Sequence, residues 1–208
     1  MNVCMRSCGE LIPEGQIIEM IARTDADYEE IFDQVLRSDY HFCVVSELRS
    51  LEAEIYLLSS ERGEGGSMTT YHTDQVRNMP GQIARLILQR YPSRSYEEEL
   101  IRVAENLDIV FVMRELPGGA KRLDKICEIR LDPMTLEVSV HDLARWETEA
   151  GEWRYQNSLS QRTLEKLRRT APDYVDVLLK SLQKLASIKP MTGDHVEVAL
   201  SHMGSSKE

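Results

Sequence analysis

"FCVVSELRSLEAE", residues 42–54, decides how the chain is read. Four apolar residues, two of them β-branched, lead through Ser46 to an acid, and a helical pattern takes over from Leu48 to about Ser60. That is the signature of a short buried strand that delivers Glu47 to its C-terminal tip and is followed by a helix. Just upstream, "TDADYEEIFDQVLRSD" opens at Thr24 with an N-cap candidate and an acidic first turn. Its Tyr28, Ile31, Phe32, Val35 and Leu36 share one face, which predicts an amphipathic helix. Downstream the pattern predicts a strand over Ser67–Tyr71 and a helix from about Asp74 to Arg90. A further helix opens with the capping box Ser95–Glu98, and "DIVFVMRE" then reads as another buried strand. Alternation of this kind up to Glu115 predicts a parallel α/β sheet.

After Leu116 the texture changes. Turn signals at Pro117-Gly118-Gly119, Asp132-Pro133 and Gly151 separate β-rich stretches, so antiparallel hairpins are expected at the sheet edge. Trp146 and Trp153 flank Gly151 at hairpin spacing and read as a cross-strand packing pair. Two helices, roughly Ser160–Arg169 and Pro172–Ser187, finish the fold, and residues 189–208 read as a loose tail. Glu97, Glu98 and Glu99 read as the solvated first turn of their helix. Arg168-Arg169 and Lys121-Arg122 read as solvated charge.

The 208 residues carry a formal charge of −10, which argues against broad nucleic-acid binding, since that needs a basic surface. Apolar runs such as Phe42–Val45 and Ile109–Met113 fall far short of the roughly 20 residues of a membrane-spanning helix. With no signal-peptide pattern at the start, the expected location is the cytoplasm. Cysteines 4, 8, 43 and 127 lack the clustering of a disulfide framework and read as reduced thiols. Cys4 and Cys8 with His41 or His72 make a poor tetrahedral zinc set.

Two stretches carry candidate chemistry. Glu47 at a strand's C-terminal end lies where ligands collect in open α/β sheets. A carboxylate there can hold magnesium through water or align a water against a γ-phosphate; it can equally cap the strand and pair with Arg49 or Arg23. In "GEGGSMTTYHT", residues 63–73, small residues such as Gly66 and Ser67 let backbone N–H groups approach an anion. The hydroxyls of Thr69 and Thr70 add donors, and His72 can contact a γ-phosphate. The competing reading is a surface loop.

Taken together and in this order, "RSDYHFCVVSELRSLEAE" and "GGSMTTYHT" resemble the Walker B and histidine-box segments of the secretion ATPase superfamily. These are the hexameric motors of type II and type IV secretion and of type IV and tight-adherence pili, and the similarity is to the tight-adherence and conjugation-type branch above all. "NLDIVFVMREL", "GAKRLDKICEI" and "LARWETEAGEW" add to the resemblance, which covers roughly residues 10–170. It implies an α/β fold, a partial RecA-like P-loop NTPase core with a three-layer, mostly parallel sheet, an antiparallel hairpin edge and C-terminal helices. Residues 24–188 would be the C-terminal part of the motor domain, after a truncated N-terminal segment, 1–23, in which "GELIPEGQ" with Glu10 matches an acidic segment.

By the same resemblance Glu47 is the catalytic glutamate, Arg49 the arginine that organises the nucleotide site, Glu52-Ala53 the Glu-Ala pair and His72 the sensor of the γ-phosphate. Glu47 would touch magnesium through water, and ATP and magnesium are the implied cofactors. The chain departs from the family at Ser46, where glycine is usual, at Tyr40, where proline is usual, and at Glu64, where many members have a histidine. No Gly-Lys-Ser/Thr occurs in the sequence. The implied partners are a homo-oligomeric ring or a half that bears the P-loop, and an inner-membrane platform, with a location peripheral to that membrane. The alternative is a non-catalytic remnant or ring-interaction subunit. In intact relatives the strand equivalent to 42–45 lies beside the strand that leads into the P-loop, so an unpaired apolar edge and self-association are expected.

Overall fold

The computed structural model describes residues 2–6, 17–21, 24–37, 42–62, 66–193 and 195–199. The chain is a mixed α/β protein that divides into two compact units. Unit 1 comprises 1–74 and 81–106, and unit 2 comprises 75–80 and 107–208.

In unit 1, strands β1 (Asn2–Arg6), β2 (Ile17–Ile21), β3 (Phe42–Val45) and β4 (Ser67–Thr69) form one sheet in the order β2-β1-β3-β4. Helix α1 (Asp25–Arg37) buries Ile31 and Val35 from the apolar face expected of it. Helix α2 (Ser50–Arg62) connects β3 to β4, and these two strands are parallel, with Cys43 opposite Ser67 and Val45 opposite Thr69. Ala53, Glu54, Ile55, Tyr56 and Leu57 are five consecutive buried residues of α2. A helix buried all round in this way is central, and α2 packs on β3, β4, α1 and α4 (Tyr96–Asn106). Helix α3 (Met79–Arg90), which belongs to this unit from Gly81 on, supplies Ile83, Ala84 and Ile87 to the core.

Two expectations for this sheet are corrected. Of its three described pairings only β3–β4 is parallel, because β1 runs antiparallel to both β2 and β3. Nor is β3 an open edge: β1 bonds it along Phe42–Val45 on one side and β4 along Cys43–Val45 on the other. The physical ground for expecting self-association at that edge is therefore gone.

Unit 2 is built on a five-stranded antiparallel sheet: β5 (Ile109–Glu115), β6 (Lys121–Leu131), β7 (Val138–Glu147), β8 (Glu152–Tyr155) and β9 (Val196–Val198). The hairpin turns fall where the Gly and Pro signals put them. Leu116 N–H donates to Ala120 O at 2.7 Å across the first turn, whose Gly118 and Gly119 have φ of +94° and +85°. This turn also explains why β5 is not the parallel strand expected from its sequence. A tight reversal joins only antiparallel neighbours, whereas a parallel partner needs a crossover of a dozen or more residues. As the outer strand of this order, β5 leaves Phe111 and Met113 exposed.

One edge of β7 holds β6; the other holds β8 along 144–147 and β9 along 139–141, end to end. The tail expected at 189–208 is thus corrected at Val196–Val198, which the β7 ladder recruits as a strand. Between β8 and β9 come helices α5 (Gln161–Thr170) and α6 (Pro172–Ile188). Ser160 caps α5 by accepting from Thr163 N–H at 3.2 Å, and Pro172 opens α6. The two ends of this helical excursion meet: Tyr155 N–H donates to Lys189 O at 3.0 Å and Met191 N–H to Tyr155 O at 2.9 Å.

Trp146 and Trp153 face each other in register with ring centroids 6.0 Å apart, edge to face, and the Arg122 guanidinium lies 4.8 Å from the Trp146 ring. The pair packs as expected, while Arg122 is a packed cation that also binds buried Asp124 at 3.3 Å. Arg168, Arg169 and Lys121 are exposed, in keeping with solvated charge.

Candidate functional site

The parallel pair β3–β4 sets the geometry of the candidate site. Its ladder continues past the strand ends, with Leu48 N–H donating to Thr70 O at 2.9 Å. The loop after β3 is thereby held against the loop after β4, so Glu47 and His72 emerge on one rim. His72 Nε2 lies 3.9 Å from Glu47 Oε1, and Arg49 Nη2 lies 3.1 Å from Glu47 Oε2. The rim is open: the His72, Arg49 and Glu47 side chains are 91%, 73% and 37% exposed. The Thr70 hydroxyl donates to Ser46 O and so pins the two loops together. Thr69 Oγ1 lies 3.5 Å from Thr70 O. Behind them, burial pushes the Tyr71 phenol above its ordinary range.

The structure thus brings together Glu47, Arg49, Thr69, Thr70 and His72. It does not bring Gly66 and Ser67 to them. Gly66 precedes β4 and Ser67 begins it, four and three residues before Thr70, or about 10–13 Å of extended chain. Gly66 O accepts from Cys43 N–H at 3.2 Å, at a φ of +99° that favours glycine, and the Ser67 hydroxyl bonds that of Ser60 on α2. Both are committed to the strand's own framework. Glu52 is half-buried on α2 and Ala53 is in the core. Glu10, Tyr40, His41, Glu64, the "GELIPEGQ" segment and the side chains of Cys4, Cys8 and Arg23 lie outside the described residues, and with them the zinc set that Cys4 and Cys8 would begin.

Magnesium at phosphate sites keeps several of its waters and takes one or two carboxylates plus substrate phosphates, so at this rim Glu47 is the group that would touch it, through water. Among the described rim residues brought together here Glu47 is the one carboxylate, with one oxygen taken by Arg49 and the other facing His72. Among the described residues no group of three His, Cys, Asp or Glu is placed to hold a metal. What the rim offers is one carboxylate of fixed orientation, one imidazole and one guanidinium, a set suited to positioning an anion and moving a proton.

Two polar clusters lie elsewhere, and neither stood out in the sequence. In unit 1, Arg102 reaches Glu54 at 2.9 Å, Glu99 at 3.3 Å and Glu61 at 2.6 Å, while Arg94 reaches Glu54 and Glu99 at 2.9 and 3.2 Å. Glu99 is buried in this cluster, which corrects its reading as part of a solvated turn. In unit 2, Glu128 is fully buried and accepts from Arg130 Nε at 2.7 Å and the Ser160 hydroxyl at 2.6 Å. Both clusters tie a helix to its neighbours.

Compared with protein-family models and with curated proteins, the chain gives no match. Among the described residues no helix is long and apolar enough to cross a membrane.

Proposed function

We propose that unit 1 carries the water-activating side of an ATP-hydrolysing site, and that the chain is a component of a secretion or pilus-assembly ATPase motor. The supporting observation is the convergence of Glu47 and His72 to 3.9 Å at the C-terminal ends of two adjacent parallel strands, the place where open α/β sheets collect ligands. In this reading β3, α2 and β4 are the preserved part of a RecA-like core. Such a motor works as a ring in the cytoplasm or at the inner face of the membrane, docked on a platform there.

The geometry is compatible with the roles that the resemblance implies. At 3.9 Å the Glu47 and His72 atoms are too far apart to bond each other directly, but both can reach one small group placed over them. Arg49 grips Oε2 and so fixes the carboxylate's rotation, which leaves Oε1 to take the proton of an attacking water. His72 donates to the γ-phosphate and reports its loss. Gripping of the phosphates is assigned to a separate half bearing a P-loop, since no Gly-Lys-Ser/Thr occurs in this sequence.

The test is phosphate release from ATP by the purified chain, alone and mixed with a P-loop-bearing N-terminal half of the family. Little release alone, restored release on mixing, and loss of that release in Glu47→Gln with nucleotide binding retained are the expected results. Robust hydrolysis by the chain alone, unaffected by Glu47→Gln, would sink the proposal.

A non-catalytic interaction subunit is the second reading, and β1 favours it. That strand occupies the side of β3 where the resemblance puts the P-loop strand, leaving no gap for a complementing half to fill. In that case mixing restores nothing and His72→Ala leaves every readout unchanged.

A further inference from the structure

Helix α6 shows two apolar faces, and its own unit uses one. Val175 is buried, and Leu179, Leu182 and Ala186, on the same side, are partly covered. On an adjoining face, about 120° round the helix, Tyr174, Val177, Leu178, Leu185 and Ile188 are exposed, Tyr174 at 74% and Ile188 at 62%. At 3.6 residues per turn these five and Ser181 fall within an arc of about 100°, so they form one stripe along the whole helix rather than scattered surface residues.

The stripe is symmetric about Ser181. Seven residues before it stands Tyr174 and seven after it Ile188; four before it stands Val177 and four after it Leu185. Laid antiparallel on a copy of itself with the two serines on the dyad, the helix sets Tyr174 against Ile188 of the second copy and Val177 against Leu185. The small Ser181 lets the backbones approach where they cross, and the stem of Lys184 covers Leu178.

Charge points to the same arrangement. Asp173 and Asp176 lie in the first half of α6, and Lys180 and Lys184 in the second. All four are exposed, and none is ion-paired to another described residue. A parallel pairing would set acid beside acid and base beside base, whereas the antiparallel one sets the acidic half of each helix along the basic half of its partner.

We propose that α6 is an isologous self-association surface: a second copy of this chain docks on it antiparallel, about a twofold axis at Ser181. The inference does not depend on the ATPase reading, and its test has no catalytic readout.

Cysteine cross-linking of the full chain tests both the partner and the direction. Under mild oxidation Ser181→Cys should give a disulfide-linked dimer, because the two thiols meet on the axis. Tyr174→Cys should not, because its mate lies about 21 Å away along the antiparallel helix. An equimolar mixture of Tyr174→Cys and Ile188→Cys should cross-link to a heterodimer. Sedimentation equilibrium at tens of micromolar should show a dimer for the unmodified chain and a monomer for Val177→Asp with an unchanged circular dichroism spectrum. A monomeric unmodified chain would overturn the proposal, as would Tyr174→Cys cross-linking to itself as readily as Ser181→Cys, the sign of a parallel pair. A monomer that instead co-sediments with anionic phospholipid vesicles would assign the stripe to a lipid surface and overturn it equally.

Discussion

Replacing Glu128 by alanine is the severest single test of how unit 2 is held together. Its carboxylate is fully buried on β6 and serves two elements at once. Oε2 accepts from Arg130 Nε at 2.7 Å; Oε1 accepts from the Ser160 hydroxyl at 2.6 Å, and the Ser160 N–H lies 3.2 and 3.1 Å from the two oxygens. Glu128→Ala therefore strips the N-cap residue of α5 of its anchor and leaves Arg130, 23% exposed, with the Ser158 carbonyl as a remaining acceptor. Breaking a buried pair from one side costs about 3–5 kcal/mol, and the partial exposure of Arg130 puts this case near 3 kcal/mol. At about 2–4 °C per kcal/mol, the midpoint of thermal unfolding should fall by about 6–12 °C at pH 7.

The pH dependence of that gap has a definite sign. Burial pushes the Glu128 carboxyl up, but the hydrogen bonds from Ser160 and Thr163 and the Arg130 charge outweigh it, so the group sits below the ordinary carboxylate range. Its stabilisation is then complete above the unfolded value of about 4.3 and is lost as pH falls through the lower folded value. Melting followed by circular dichroism should show a constant gap between the two proteins from pH 7 to about 5, narrowing at more acid pH. A gap under about 2 °C at neutral pH, or one that widens on acidification, would refute the account.

One further substitution and one labelling experiment probe other buried groups. Arg102→Ala leaves Glu54 and Glu99, both buried, with Arg94 as their shared counter-ion, so the free energy of unfolding in urea should fall by about 3 kcal/mol; a change below about 1 kcal/mol would show that Arg94 suffices. The Cys127 thiol is pushed well above its ordinary range by burial and by the Asp142 carboxylate 3.2 Å away. Peptide mapping after treatment with a thiol reagent at pH 8 should find Cys127 unmodified in the folded protein and modified in urea, and rapid native labelling would contradict this.

What the sequence discloses about this fold depends on how far apart the deciding residues lie. Helices α1 and α5 and the three hairpin turns were legible because their caps, apolar spacing and glycines are local. The site was half legible: Glu47 and His72 lie at the tips of two strands one crossover apart, so their meeting follows from the pattern, but Gly66 and Ser67 looked equally suited to a phosphate until the register put them at the far end of β4. β5 was misassigned because "DIVFVMRE" is apolar enough for a buried strand, and its composition does not show that its neighbour returns by a tight turn. β1 and β2 were missed because their short, mixed sequences need each other and β3 to become a sheet. Glu99 cannot be told from Glu97 and Glu98 in the sequence, since the arginines that hold it, Arg94 and Arg102, also hold Glu54 of another helix.

The meeting of Tyr155 with Lys189 and Met191 gives the helical excursion of unit 2 the character of a detachable cassette. Chain that leaves a sheet edge and returns to the same point adds little to the entropy cost of assembling that edge, and its length is then free to change without disturbing the strands on either side. β8 and β9 already lie end to end along β7 and run in the same direction. A short linker from Tyr155 to Met191 would join them into one continuous border strand, keep the ladder of five strands as a ladder of four, and leave Glu128 facing solvent where α5 had covered it.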